Sequence, residues 1–268
     1  MSLDAAPYVA KPCSMKLEVL GCYGNVTRRC RSTAFLINDQ ILFDAGTVTE
    51  VLPAHRLKRV SHVLLSHIHM DHVKGLCSLA EEFSMLENKR ITVVAEARVI
   101  DALSEHVFNN CLWPDFTAIP DKKRGVVQLR RADPFGYTSV GNLRAKPVPV
   151  HHRIHTTGFV IKEADTTVML TSDTGMTEQF WQEAKTESRV DFIIAHVAFP
   201  SRLSSLASTA GHMTLAMLLD RIDTYSLHHV PCYVSHMKSM FEREMRHEVQ
   251  RAGRPNLRVL KQGSVIVA

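Results

Sequence analysis

Short apolar runs with β-branched residues and two-residue alternation recur along the chain between polar turns, the signature of strands. Strands are predicted at "MKLEVLG" (15–21), "STAFLIN" (32–38), "QILFDAG" (40–46), "SHVLLSH" (61–67) and "RITVVAE" (90–96). The period then lengthens to that of a helix in "ARVIDALSEHVF" (97–108). Residues 109–125, "NNCLWPDFTAIPDKKRG", follow neither period and hold two prolines, so a loop or lid is predicted there, as part of a lid or insertion over about 109–141. From Asn142 strands resume in "NLRAKPVPV", and "GFVIKEADTTVMLTSD" reads as a hairpin whose apolar arms flank "KEAD". A helix at 177–186, a strand at 191–199, a helix from Gly211 to Ile222 and a strand at 231–236 follow. The amphipathic stretch 239–253, halted by Gly253 and Pro255, predicts a last helix before the strand "SVIVA".

Strands and helices alternate in both halves with hairpins mixed in, which predicts an α/β (α+β) protein of two mixed sheets packed face to face with helices outside. One domain is expected over 1–268, with residues 1–14 as an N-terminal tail. Apolar residues at 45% and charged residues at 22% exclude a disordered chain. Asp4, Pro7, Lys11 and Pro12 interrupt the N-terminus, and no window reads as a transmembrane or secretory segment, so a cytoplasmic location and no membrane partner are expected. The six cysteines show no C-x-x-C, which argues against a thiolate zinc site or a disulfide scaffold. A net charge of +5, with only "TRRCR" and "KKR" as clusters, gives no support to a nucleic-acid partner.

The chemistry concentrates in "SHIHMDH" (66–72). Residues two apart on an extended segment point the same way, so His67 and His69 can share one ion, while Asp71 and His72 fall where the chain turns into the next helix. Imidazole and carboxylate suit zinc, iron or manganese. With 15 histidines and 13 aspartates, this cluster arises by chance in on the order of one in several hundred such chains. Further candidates stand at later strand ends: His151, His152 and His155 in "PVPVHHRIHTTGF", Asp173 in "VMLTSDTG" and His236 in "CYVSHMK".

With these residues the chain resembles the metallo-β-lactamase fold superfamily, which implies a four-layer αβ/βα sandwich with metals at the sheet edge. The resemblance covers roughly residues 15–268. "SHIHMDH" is similar to the first metal motif of that superfamily, and the spacing from His152 to Thr156 and Gly158 matches the H-x-x-x-S/T-x-G-F/Y pattern of its phosphodiesterase branch, favouring His152 over His151. Asp173 looks like the bridging carboxylate and His236 like the last histidine. "AFPSRLSSLASTAGHMT" (198–214), "VSHMK" and "HVFNNCLWPDFT" (106–117) are similar to segments of class II 3′,5′-cyclic-nucleotide phosphodiesterases. The chain departs from that family at His196, where it has Glu, at Ser201, where it has Asn, and at Gly24–Asn25, where it has Gly-Gly.

The resemblance implies two divalent ions, zinc foremost with iron or manganese as alternatives. His67, His69 and His152 would hold one ion; Asp71, His72 and His236 the other; Asp173 would bridge. The implied activity is opening of a cyclic AMP or cyclic GMP ring to the 5′-monophosphate by a hydroxide bridging the ions, with Asp71 and His212 as catalytic residues. His212, Lys238, His196, Trp113 and Asn110 are the expected substrate contacts. A small-molecule phosphodiester is the expected partner, and a homodimer the assembly considered. The alternatives are a ribonuclease Z-like RNA-processing endonuclease and a metal-dependent ester or lactone hydrolase on the same fold.

Overall fold

The computed structural model describes residues 15–268; the tail expected over 1–14, with Cys13, lies outside the described residues. In the first half, β1 (Lys16–Gly21), β2 (Ala34–Ile37) and β3 (Ile41–Phe43) form an antiparallel meander. The chain continues through α1 (Ala54–Leu57), β4 (His62–Leu64), α2 (Met70–Ser84), β5 (Ile91–Ala95), α3 (Ala97–His106) and β6 (Val127–Arg131), with β3 to β6 pairing in parallel. One face of β3 to β5 is covered by α2 and α3 and the other by the second sheet, which is why these strands read as apolar runs. Val73, Leu76, Cys77, Ala80 and Phe83 of α2 recur at helical spacing and are buried against this sheet with Val99, Ile100 and Leu103 of α3.

The second half runs β7 (Thr138–Val140), β8 (Leu143–Val150), β9 (Thr156–Glu163), β10 (Thr166–Leu170), α4 (Gln179–Thr186), β11 (Phe192–Phe199), α5 (Ser204–Ala210), β12 (Met213–Thr214), α6 (Leu215–Thr224), β13 (Cys232–Ser235), α7 (Glu242–Ala252), β14 (Leu257–Val259) and β15 (Val265–Val267). Among the described residues the strands form two sheets, ordered β15-β1-β2-β3-β4-β5-β6 and β14-β13-β11-β10-β9-β8-β7, with β12 beside β11. Phe35, Phe43, Phe159 and Phe192 fill the space between the sheets, and Trp181, Leu218 and Met245 join α4, α6 and α7 to the outer face of the second. The result is the helix-sheet-sheet-helix sandwich expected from the alternation of elements.

The expected hairpin is present, with Glu163 opposite Thr166 across a two-residue turn. Three features differ from the sequence reading. The span read as a lid, 109–141, contains β6 and β7, whose largely solvent-facing residues at sheet edges lack the apolar alternation that marks an inner strand. The helix expected from Gly211 begins at Leu215: Gly211, at φ 71°, ends α5, and Thr214 caps α6 by accepting the Met217 N–H. β14 and α1 are too short to leave a period.

Topology places the chemistry. β10, β11 and β13 are parallel, and β8 joins them in direction through antiparallel β9, so all four end at one sheet edge. In the facing sheet β3, β4 and β5 likewise end together.

Candidate metal centre

β4 ends at Leu64, and the chain stays extended through His69, the residue before α2 at φ −60° and ψ 144°. That conformation brings His67 Nε2 to 3.1 Å from His69 Nδ1. Asp71 and His72 occupy the first turn of α2. His152 follows β8, Asp173 follows β10, His196 lies in β11 and His236 follows β13, at a positive φ of 64°.

Four of these rings are tied at Nδ1 by groups outside the cluster. His67 Nδ1 lies 2.9 Å from Ser66 Oγ, which itself donates to Asp44 Oδ2 at 2.9 Å. His72 Nδ1 lies 2.7 Å from Asp44 Oδ2, His152 Nδ1 2.7 Å from the Gly211 carbonyl, and His236 Nδ1 3.0 Å from Thr33 Oγ1. A ring whose Nδ1–H donates outward presents an unprotonated Nε2 inward, the form a metal ion needs. Asp44, Ser66 and Thr33 were not singled out in the sequence. The available signal for Asp44 is its position, an aspartate directly after a strand that pairs with the one leading into the histidine motif.

The inward atoms form two groups that share Asp173. In the first, His67, His69, His152 and Asp173 each offer a donor atom, all within 4.8 Å of one another. His69 Nδ1 is 3.2 Å from His152 Nε2, and Asp173 Oδ2 is 3.7 Å and 3.8 Å from His67 and His152 Nε2. In the second group stand His72, Asp173, His196 and His236. Asp173 Oδ2 is 3.4 Å from His72 Nε2, and Oδ1 is 3.1 Å from His236 Nε2. Donors about 2.0–2.1 Å from a tetrahedral ion stand about 3.4 Å apart, so these separations fit ligands around an ion. The buried Nε2 atoms of His72 and His236 have no hydrogen-bond partner, an expensive condition that a bound cation removes. The donor set therefore fits divalent metal.

The electrostatics favour the ligating form of His67, His236 and Asp173 and the protonated form of His72. Burial and neighbouring imidazoles hold His67 well below the usual histidine pKa, and burial pushes His236 down to about 3. Both stay neutral and able to ligate at pH 7. Burial opposes charge on His72 and Asp173 as well, but in each the surrounding partners outweigh it. Asp173 and Asp44 raise His72, and His236 and His72 hold Asp173 well below the carboxylate range.

The other expected residues divide. Asp71 Oδ2 is 3.7 Å from His236 Nε2 but falls outside both groups. His212 packs against the cluster, its ring centre 4.9 Å from that of His152 and 5.6 Å from that of His236. His196, an expected substrate contact, has Nδ1 2.9 Å from Asp173 Oδ1 and its ring stacked on His236. Lys238 donates through Nζ to the Gly24 carbonyl. Trp113 packs on the core beneath α2 and α3, and Asn110 Oδ1 accepts the Asp115 N–H. His151 is exposed, while His155 Nε2 lies 2.6 Å from Glu96 Oε2.

A family profile described as "Beta-lactamase superfamily domain" matches residues 39–230. A 3′,5′-cyclic-nucleotide phosphodiesterase of Schizosaccharomyces pombe is 36% identical over 96 residues, 35% of this chain and 26% of that protein. A probable 3′,5′-cyclic-nucleotide phosphodiesterase of Yersinia pestis is 25% identical over 206 residues, 68% of this chain and 58% of that one. A ribonuclease Z of Metallosphaera sedula is 25% identical over 159 residues, 57% and 50% of the two chains. In each case the match spans less than two thirds of the relative's own length. The crystal structure of unliganded yeast PDE1 superposes with a TM-score of 0.79 at 17% identity, covering 95% of this chain and 99% of that one, a likeness of fold. With the profile covering well over half of its length, the chain belongs to the beta-lactamase superfamily and has its metallo-β-lactamase fold.

Proposed function

We propose that the protein is a dinuclear metal-dependent hydrolase that opens a 3′,5′-cyclic nucleotide to the 5′-monophosphate. The observation that carries this reading is Asp173, shared by two groups of inward-facing donors. His67, His69 and His152 would hold one ion, His72 and His236 with Asp71 the other, and Asp173 both. Two divalent ions supply Lewis acidity and a water acid enough to act as nucleophile near pH 7. Against only two carboxylates they retain net positive charge, which suits an anionic phosphodiester better than a neutral lactone. Zinc is favoured by the imidazole-rich donor set.

The chain's own groups do the rest. His212, at 9% exposure on the rim of the cluster, donates to a phosphoryl oxygen or to O3′ as the P–O3′ bond breaks. Asp71, whose side chain is 24% exposed, accepts the proton of the attacking water at Oδ2. Ser66, Asp44, Thr33 and the Gly211 carbonyl fix ring orientation, so that little rearrangement accompanies turnover. His196 holds Oδ1 of Asp173. A cytoplasmic location and a small-molecule partner belong to the same reading.

The relatives named ribonuclease Z support a second reading, RNA processing. Metal analysis, with turnover of cyclic AMP, cyclic GMP, bis(p-nitrophenyl) phosphate, a lactone and a precursor tRNA side by side, separates them. Turnover of the cyclic nucleotides supports the proposal; turnover of the lactone or the tRNA alone sinks it.

A further inference from the structure

The basic stretch "KKR" (122–124) lies at the end of the first sheet remote from the histidine cluster, and the reaction does not use it. Arg90 directly precedes β5 and Val126 directly precedes β6, and the two strands are parallel, so the turns that lead into them meet where both strands begin. The metal donors leave the opposite edge, beyond the 5 residues of β5, which span about 17 Å. Between the two turns is a cleft of about 340 Å³. Met85, Ile119, Pro120 and Val126 give it an apolar wall, and Lys89, Arg90 and Arg124 line it with positive charge. Backbone hydrogen bonds hold both sides: the Leu86 carbonyl accepts the Lys89 N–H, the Ile119 carbonyl the Val126 N–H, and the Val126 carbonyl the Ile91 N–H.

We propose that this cleft is a second binding site, for a small phosphate monoester whose dianionic head sits on Lys89 and Arg90 and whose organic body covers the apolar wall. Both cations are half-buried, and neither side chain has an ion-pair or hydrogen-bond partner among the described residues. Lys89 Nζ lies 4.9 Å from the centre of the buried Phe83 ring, and burial lowers its pKa with no carboxylate to offset it. An ammonium drawn out of water without a counter-ion is costly, and an anion in the cleft removes that cost. Arg124 is paired with Asp121 at 2.7 Å, which leaves Lys89 and Arg90 as the free charges. Glu87 on the rim opposes an anion, as does the C-terminus of α2 with roughly half a negative charge, but the two free cations outweigh them. Two adjacent cations suit the double charge of a phosphate monoester better than the single charge of a carboxylate. The volume falls at the lower end of the roughly 300–1,000 Å³ of small-molecule sites, and the 73% exposure of Met85 supplies apolar surface for a ligand to cover. The cleft lies apart from the metal centre, so its ligand does not depend on what that centre hydrolyses.

The test is NMR of the zinc-loaded protein with ¹³C-labelled Met and Ile methyl groups, titrated with phenyl phosphate. The Met85 and Ile119 signals should shift along a one-site saturation curve, while Met70 and Met176, next to the metal donors in sequence, report separately on binding at the ions. Lys89→Met and Arg90→Gln, both at half-buried positions away from the core, should each weaken the Met85 curve at least about tenfold, the scale of one charge-assisted hydrogen bond. Phenylacetate should bind at least about tenfold more weakly than phenyl phosphate, since it carries one charge fewer. Met85 and Ile119 signals that stay in place, a curve unchanged in either variant, or phenylacetate binding as tightly as phenyl phosphate would each overturn the proposal.

Discussion

His72 Nδ1 lies 2.7 Å from Asp44 Oδ2, and neither side chain reaches solvent. The same carboxylate accepts the Ser66 N–H and Oγ–H, so one buried aspartate sets the tautomer of His72 directly and that of His67 through Ser66. Asp44→Asn keeps the shape but can turn an amide N–H toward His72 Nδ1, which would move the ring proton to Nε2. Metal affinity should fall about 10–100-fold, the usual cost of losing such a partner, with the circular dichroism spectrum unchanged. Competition with a chelator measures it, and an unaltered affinity would show that Asp44 only fills space.

Gly24 lies flat against the His236 ring. A Cβ there would sit 2.7 Å from His236 Cδ2 and 2.8 Å from Nε2, closer than real carbons approach. Gly24→Ala should push the ring from its position beside Asp173 and lower metal content from two ions to about one per chain. Inductively coupled plasma analysis of the variant reads this directly. Two ions retained at full affinity would mean that His236 is not a ligand.

His69→Ala and Asp173→Ala should each abolish phosphodiesterase turnover while the chain stays folded. They differ in metal: the first removes a donor from one group, and the second removes the carboxylate both groups share. Asp173→Ala should therefore lose more metal than His69→Ala. Wild-type metal content in either variant contradicts the ligand assignment.

The metal-free protein should be acid-labile. Burial holds His236 at about 3 and His212 at about 4, and lowers His67 and His69, against about 6.5 for an unfolded imidazole. As pH falls below about 6.5, the unfolded chain takes up these protons first, so stability is lost between there and the folded values. His72 has the opposite sign, since its raised pKa adds stability that is full below about 6.5 and is lost only as pH rises through its folded value. His62, half-buried, is lowered too, and one raised histidine against five lowered ones gives a net loss. The Tm of EDTA-treated protein should drop by several degrees from pH 7.5 to pH 5, and a flat or rising Tm would contradict the arrangement.

What the sequence made legible was what a local pattern can carry. "SHIHMDH" encodes a strand end turning into a helix, and the distances among His67, His69 and His72 follow from that turn. The resemblance reached His152, Asp173 and His236, and the structure brings all three to the same edge. Asp44 and Thr33 escaped because the outer side of a metal site is assembled from neighbouring strands, which no spacing along the chain records, and the role of Ser66, inside the motif, shows only in its bond to Asp44. The contact of His196 with Asp173 is likewise set by the pairing of β10 with β11, which the sequence does not record. β6 and β7 went unread because edge strands exposed to water carry little hydrophobic period.

The central claim is tested most directly by ³¹P NMR of cyclic GMP incubated with the zinc-loaded protein, with and without EDTA. The cyclic phosphate signal should give way to that of the 5′-monophosphate, and EDTA should stop the conversion. A cyclic phosphate signal that persists, a 3′-monophosphate product, or conversion that continues in EDTA would contradict the account.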